Sequence, residues 1–180
     1  MESIKIFGKI CYNNNFRFRK CPNNIKENRK YIISGEKDNI ITKTGNDNWM
    51  GTICENELEK GKEHKWKIKI LKTSNYYIMV GVASSDFDIN SSTYNTCGWY
   101  FYLCNSYLWS GPPHNYNKKT NLMSNKDEII VIMNMNKRTL KFVINNEDKG
   151  ESYTDIPIDK PLFPAILFYD KNDSVEIIEY

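Results

Sequence analysis

The sequence predicts an all-β fold, a sandwich of two antiparallel sheets. Short β-branched and aromatic runs recur along the chain, polar turn residues separate them at regular intervals, and no long segment carries a helical period. This spacing is typical of a β-sandwich. The chain has 180 residues, the length of one domain, and a chain of this size buries about 70% of its unfolded surface. We therefore expect a single domain over residues 1–180.

The individual strands follow from the apolar pattern. Apolar residues near 4–10 predict an edge strand within an N-terminal extension, residues 1–24, so that the core of the domain covers residues 25–180. In segment 64–70, Trp66, Ile68 and Ile70 alternate with lysines, which gives one apolar face and one solvated face. Segment 76–83 is more continuously apolar and predicts a central strand, in which Gly81 marks a bulge or a close backbone approach. Further strands are predicted at 31–34, 40–44, 50–54, 98–103, 107–110, 128–135, 139–145, 162–168 and 174–179.

Charge and composition exclude several classes of function. The 25 lysines and arginines exceed the 22 acidic residues by a formal net charge of +3, and they are spread along the chain. Nucleic-acid binding needs clustered cations, so we expect no nucleic-acid partner. No run reaches the roughly 18 apolar residues that cross a bilayer, and the N-terminus has no signal-peptide pattern. Five cysteines without a Cys-x-x-Cys pair indicate reduced thiols. These features predict a cytoplasmic protein without a membrane partner.

Catalytic and metal-binding patterns are missing from the sequence. Of the two histidines, His64 falls in a strand pattern, and His114 follows Gly-Pro-Pro in a loop without an acid to orient it. No Gly-x-Ser-x-Gly motif provides a nucleophile. Asp86, Asp88 and Asn90 imitate part of a calcium loop but lack its glycine and distal glutamate. The cysteines do not have the spacing of a metal site. We expect no enzyme activity, no metal and no cofactor.

Several segments, taken in order, resemble one protein family. They are the Gly-x-x-x-x-Trp strand at 61–66, Val-Gly-Val-Ala at 80–83, Gly-Trp-Tyr-Phe-Tyr at 98–102, the hairpin at 127–146 and Pro-Leu-Phe-Pro-Ala at 161–165. Together they resemble the SPRY family, over a region from about residue 25 to the C-terminus. The resemblance implies a concanavalin-like jelly-roll sandwich that acts as an interaction domain.

The binding surface is predicted on long loops. Segments 84–96 and 111–125 are too long and too polar for simple turns, and loops on a rigid β scaffold are a usual place for binding. In SPRY members that hold a short peptide, a tyrosine after the Val-Gly-Val-Ala strand lines the pocket, and Tyr94, eleven residues beyond Ala83, resembles it. The loop after Pro-Leu-Phe-Pro-Ala contributes in such members, although this chain lacks their usual tryptophan and glycine there. The candidate partner-binding residues are Tyr94, Phe87, Asp86, Trp109, His114, Tyr116, Tyr169 and Asp170.

These patterns favour a non-catalytic protein-interaction module. We expect a short linear peptide or an exposed loop of a partner protein to bind the loops at one end of the sandwich, with the domain serving as an adaptor. The alternative is a lectin-like carbohydrate-binding module, in which Trp109 and Tyr116 would stack on sugar rings. A hydrolase is disfavoured because no base and nucleophile can be paired from the sequence.

Overall fold

The computed structural model describes residues 16–90, 97–110, 113–114 and 128–180. Within these ranges the chain forms β-strands and one turn of 3-10 helix at Glu27–Arg29. The strands are β1 (Tyr31–Ser34), β2 (Ile40–Lys43), β3 (Met50–Ile53), β4 (Glu63–Lys72), β5 (Ile78–Ser84), β6 (Gly98–Tyr102), β7 (Tyr107–Trp109), β8 (Pro113–His114), β9 (Glu128–Asn134), β10 (Thr139–Ile144), β11 (Glu147–Tyr153), β12 (Leu162–Phe168) and β13 (Ser174–Glu179). In the described part of the chain, no helix has the length and apolar character needed to cross a membrane.

The strands form two antiparallel sheets. The seven-stranded sheet has the order β1-β2-β13-β4-β9-β10-β11, and the six-stranded sheet has the order β3-β12-β5-β6-β7-β8. Strands distant in sequence lie side by side, as where β12 pairs with both β3 and β5. The prediction of an all-β sandwich with two antiparallel sheets is confirmed.

Most predicted strands are present, and the differences have a clear cause. The sequence pattern did not predict the polar strand β11 or the two-residue strand β8. Strand β11 forms a hairpin with β10 through Asn145 and Asn146, whose φ angles of 50° and 66° are those of the tight turns that join two strands directly. The strand predicted near 4–10 lies outside the described residues.

The main core lies between the two sheets. The alternation predicted for β4 is confirmed, because Trp66, Ile68 and Ile70 are buried in this core. Phe101 of β6 and Phe168 of β12 reach the same core from the other sheet. Aromatic side chains of this kind each bury roughly 150–250 Å², so the inter-sheet layer supplies most of the apolar burial.

A second apolar cluster covers the outer face of the six-stranded sheet. Every residue of β5 and β12 is buried, so these two strands are covered on both faces. Gly81 allows β5 to lie against β6, since a Cβ atom there would stand 2.0 Å from the carbonyl oxygen of Trp99. The predicted close backbone approach at this glycine is confirmed. The buried members of the outer cluster are Ile53, Met79, Ala83, Tyr100, Phe163, Ala165 and Leu167.

Candidate functional site

Four aromatic side chains meet at one end of this outer face. Trp49 precedes β3, Tyr169 follows β12, Tyr77 precedes β5 and Tyr102 ends β6. These four strands are neighbours in the order β3-β12-β5-β6, and their antiparallel registers bring these four termini to the same end. Each ring is half-buried, so part of it faces solvent. We call Trp49, Tyr77, Tyr102 and Tyr169 the aromatic cluster.

The rings of the aromatic cluster form a closed cycle. The centroid of Trp49 lies 5.7 Å from that of Tyr102 and 5.6 Å from that of Tyr169, with interplanar angles of 70° and 67°. Tyr77 completes the cycle, at 5.8 Å and 83° from Tyr169 and at 6.3 Å and 46° from Tyr102. Edge-to-face contacts of this kind are each worth about 0.5–1.5 kcal/mol beyond area burial. The rings therefore hold one another in fixed orientations.

A buried carboxylate ties the two turns that carry Tyr77 and Tyr169. Asp173 accepts hydrogen bonds from the backbone N–H of Ser74, at 3.0 Å, and from the hydroxyl of Thr73, at 3.2 Å. The backbone N–H of Tyr169 also donates to the carbonyl oxygen of Tyr77, at 3.0 Å. Burial raises the pKa of Asp173 to about 6 because the charged form loses hydration. The positions of the two rings thus depend on the hydrogen bonds that the buried Asp173 carboxylate accepts.

Two further buried charged groups support the segments that carry the aromatic cluster. Asp170 accepts a hydrogen bond of 3.0 Å from the side-chain amide of Asn75, and only 7% of its surface is exposed. The Lys43 side chain is fully buried, and burial lowers its pKa. Its ammonium group donates to three backbone carbonyl oxygens, those of Asn28 at 3.2 Å, Gly45 at 2.9 Å and Asn46. The ammonium group thereby holds the loop that leads into Trp49.

The structure places three of the predicted residues on the outer face of the six-stranded sheet. Tyr169 belongs to the aromatic cluster, and both Phe87 and Trp109 pack against the outer apolar residues. Phe87 folds back over β3, where the absence of a side chain on Gly51 makes room for its ring: a Cβ there would stand 2.7 Å from the ring tip. Trp109 lies opposite Tyr100 in the β6–β7 pairing. These residues extend the aromatic surface beyond the cluster.

The other predicted residues are not gathered at the same point. Asp86 forms an exposed ion pair with Lys160, near the paired positions Ser84 and Leu162. The aromatic cluster lies at the other end of this strand pair, because β5 and β12 are antiparallel. Asp170 is largely buried and holds a turn. His114 contributes its backbone to β8, and the predicted residues Tyr94 and Tyr116 lie outside the described residues.

Sequence reasoning missed three members of the aromatic cluster. Tyr77 and Tyr102 fall within predicted strands and Trp49 directly precedes one, so the sequence pattern does not distinguish these rings from those of core residues. A signal was present in β6, where Tyr100 and Tyr102 alternate with Trp99 and Phe101. Apolar residues at both the odd and the even positions of a strand indicate that both of its faces are covered. This pattern in β6 predicts an apolar cluster on the outer face of the sheet.

The described residues contain no cluster of side chains that could hold a metal ion. No three His, Cys, Asp or Glu side chains there come together as metal ligands. The four described cysteines are free thiols. His64 is buried, and its Nε2 atom lies 2.9 Å from the carbonyl oxygen of Glu59, a structural position as the strand pattern predicted. The described surface instead offers aromatic groups suited to recognition.

Comparison with known proteins agrees with the fold. Residues 63–180, well over half of the chain, match the family described as SPRY domain. The chain belongs to the SPRY family. The resemblance noted in the sequence is thereby confirmed. Membership of the SPRY family is consistent with a protein-interaction module. No curated protein matches the sequence.

Solved SPRY structures are similar over most of their length. The SPRY domain of human HERC1 has a TM-score of 0.69 at 18% identity, covering 83% of this chain and 92% of that one. The TRIM65 PSpry domain has a TM-score of 0.64 at 12% identity, covering 92% and 93%. A human SPRY domain has a TM-score of 0.61 at 12% identity, covering 82% and 94%. At these identities the similarity establishes the SPRY fold.

Proposed function

We propose that this SPRY domain binds a short extended peptide or an exposed loop of a partner protein through the aromatic cluster. The observation that carries the proposal is the closed cycle of four half-buried rings at the ends of four adjacent strands. Binding energy at protein interfaces is concentrated in a few well-packed anchors, in which tryptophan and tyrosine are enriched. A surface with four such rings in mutual contact fits this role.

The surroundings of the cluster suit an extended ligand. Phe87 and Trp109 continue the aromatic surface across the same face of the sheet. A peptide crossing this face would bury side chains against the rings, while its backbone would bond to polar groups at the rim. Tyr94, His114 and Tyr116 remain predicted contributors to partner binding. We propose an adaptor role, in which the domain recruits a partner through this surface.

Selection of peptides on the purified domain tests the proposal. A random linear peptide library displayed on phage is enriched on the domain, and the affinities of the selected peptides are measured by calorimetry. Each of Trp49→Ala and Tyr169→Ala is expected to weaken binding by about 30-fold, the effect of losing a hot spot of 2 kcal/mol. Tyr180→Ala is the matched control, since this tyrosine is 61% exposed and lies beyond the last strand of the other sheet.

The results discriminate between the alternatives. Circular dichroism and thermal melting of each variant establish that it is folded. Selected peptides that bind Trp49→Ala and Tyr169→Ala as tightly as the wild type would place binding on another surface. If no peptide is enriched and a glycan array instead gives binding that depends on Trp109, the protein-binding proposal is overturned in favour of the lectin-like alternative.

A further inference from the structure

We infer that the aromatic cluster recognises a cationic side chain, arginine or lysine, in the bound peptide. The inference rests on the proposed function and specifies the chemistry of the anchor. Two features carry it: the arrangement of the four rings and the carboxylates beside them. Each is independent of the family similarity.

The first feature is the size of the ring cycle. Its four sides measure 5.6, 5.7, 5.8 and 6.3 Å between centroids. At the centre of a square with such sides, a cation would stand about 4 Å from each centroid, within the roughly 6 Å over which cation–π attraction acts. Three of the four interplanar angles lie between 67° and 83°, as for adjacent walls of a box. The faces of aromatic rings carry partial negative charge, so a cation in contact with the exposed faces of this group is attracted to it.

The second feature is the charge around the cycle. Asp170 directly follows Tyr169 in the chain, and it is held by one hydrogen bond from Asn75 to its Oδ2 atom. Asp47 lies two residues before Trp49 and is exposed, with its Oδ1 atom accepting the backbone N–H of Lys171 at 2.7 Å. Each carboxylate therefore bonds through one oxygen in these contacts. A guanidinium or ammonium group over the rings would lie near both negative charges.

The two cations of the same region, Lys43 and Lys171, are outnumbered by three carboxylates, those of Asp47, Asp170 and Asp173, whose charges act on Lys43. The ammonium group of Lys43 is turned towards the backbone carbonyl oxygens of its own loop. The side chain of Lys171 is exposed to water, where its charge is screened. The domain already makes the proposed type of contact elsewhere on the same face: the guanidinium carbon of Arg19 lies 4.9 Å from the ring centroid of Phe163.

Paired peptide libraries test the inference. One biotinylated library carries a fixed central arginine and the other a fixed central citrulline, which has nearly the same shape without the charge. We expect the wild-type domain to retain the arginine library at least tenfold more strongly. Trp49→Ala and Tyr169→Ala should abolish this preference, and Tyr180→Ala should keep it. Asp47→Asn, at an exposed position, should reduce the preference severalfold and leave binding of the citrulline library unchanged.

The outcomes separate this inference from the proposed function. Equal retention of the two libraries, each dependent on Trp49 and Tyr169, would overturn the cationic anchor and leave peptide binding intact. A preference for arginine that persists in both alanine variants would place the cation site elsewhere and overturn the inference. Retention of neither library, together with failure of the phage selection, would overturn both.

Discussion

Replacing Asp173 by asparagine should change how the stability of the domain depends on pH. Asp173 is fully buried and bonded to the turn before Tyr77, and burial raises its pKa from 3.8 to about 6. The folded domain therefore holds the protonated carboxyl more tightly than the unfolded chain does. Asparagine has nearly the same shape and can still accept the hydrogen bond from Ser74, but it does not titrate.

The direction and size of the effect follow from the two pKa values. Below pH 3.8 the carboxyl is protonated in both states, and its contribution to stability is fully present. As the pH rises to about 6, the unfolded chain releases the proton first, and the stability of the wild type falls. The difference between the two values corresponds to about 3 kcal/mol in the free energy of unfolding. Above about pH 7 this loss is complete and constant.

Urea unfolding followed by tryptophan fluorescence at pH 4, 5, 6 and 7 measures this effect. The free energy of unfolding of Asp173→Asn minus that of the wild type should rise by about 2.4 kcal/mol between pH 4 and pH 7, because groups common to both proteins cancel. Asp155→Asn is the control, since the Asp155 side chain is 88% exposed and its difference should stay flat. A difference for Asp173→Asn that does not vary with pH would refute the reasoning.

Three further substitutions test other contacts. Lys43→Met removes the donor for three backbone carbonyl oxygens. The free energy of unfolding, measured in urea, should fall by about 2–4 kcal/mol. A loss below about 1 kcal/mol would contradict the role of the ammonium group. Gly81→Ala places a Cβ 2.0 Å from the carbonyl oxygen of Trp99 and should cost about 3 kcal/mol or prevent folding, as judged by circular dichroism; native stability would disprove the close approach. Tyr153→Phe loses the 2.8 Å hydrogen bond to the carbonyl oxygen of Tyr100. Its Tm should fall by an amount equivalent to about 1–2 kcal/mol of stability. An unchanged Tm would show that this bond contributes nothing to stability.

The fold was accessible from the sequence because its signals are local. Alternation in β4 identifies a strand with one buried and one solvated face, and the continuous apolar run of β5 identifies a central strand, in each case without knowledge of the partner strands. The alternation suggested an outer strand, which is wrong, because β4 lies in the middle of the seven-stranded sheet. Strand β11 was missed because its residues, Glu147–Tyr153, are mainly polar and it lies at the edge of a sheet. An edge strand needs little apolar character, and its pairing depends on the turn before it.

The candidate site was less accessible because it depends on non-local pairing. Tyr169 was predicted because the resemblance to the SPRY family implies a role for the loop after Pro-Leu-Phe-Pro-Ala. Trp49, Tyr77 and Tyr102 join it only because β3 and β5 lie on either side of β12 and β6 lies beside β5. The apolar period of a single strand does not show which strands distant in sequence will be its neighbours. The sequence predicted binding on the long loops at 84–96 and 111–125, whereas the aromatic contacts of the described residues lie at strand ends.

The rings at the strand ends also affect how a partner would associate. Each ring has only two side-chain torsions and is already held by its neighbours, so little conformational entropy remains to be lost when a ligand arrives. A preorganised surface of this kind does not have to fold around its ligand. Differences in affinity among related ligands should therefore appear mainly in how long each complex lasts, and much less in how fast it forms.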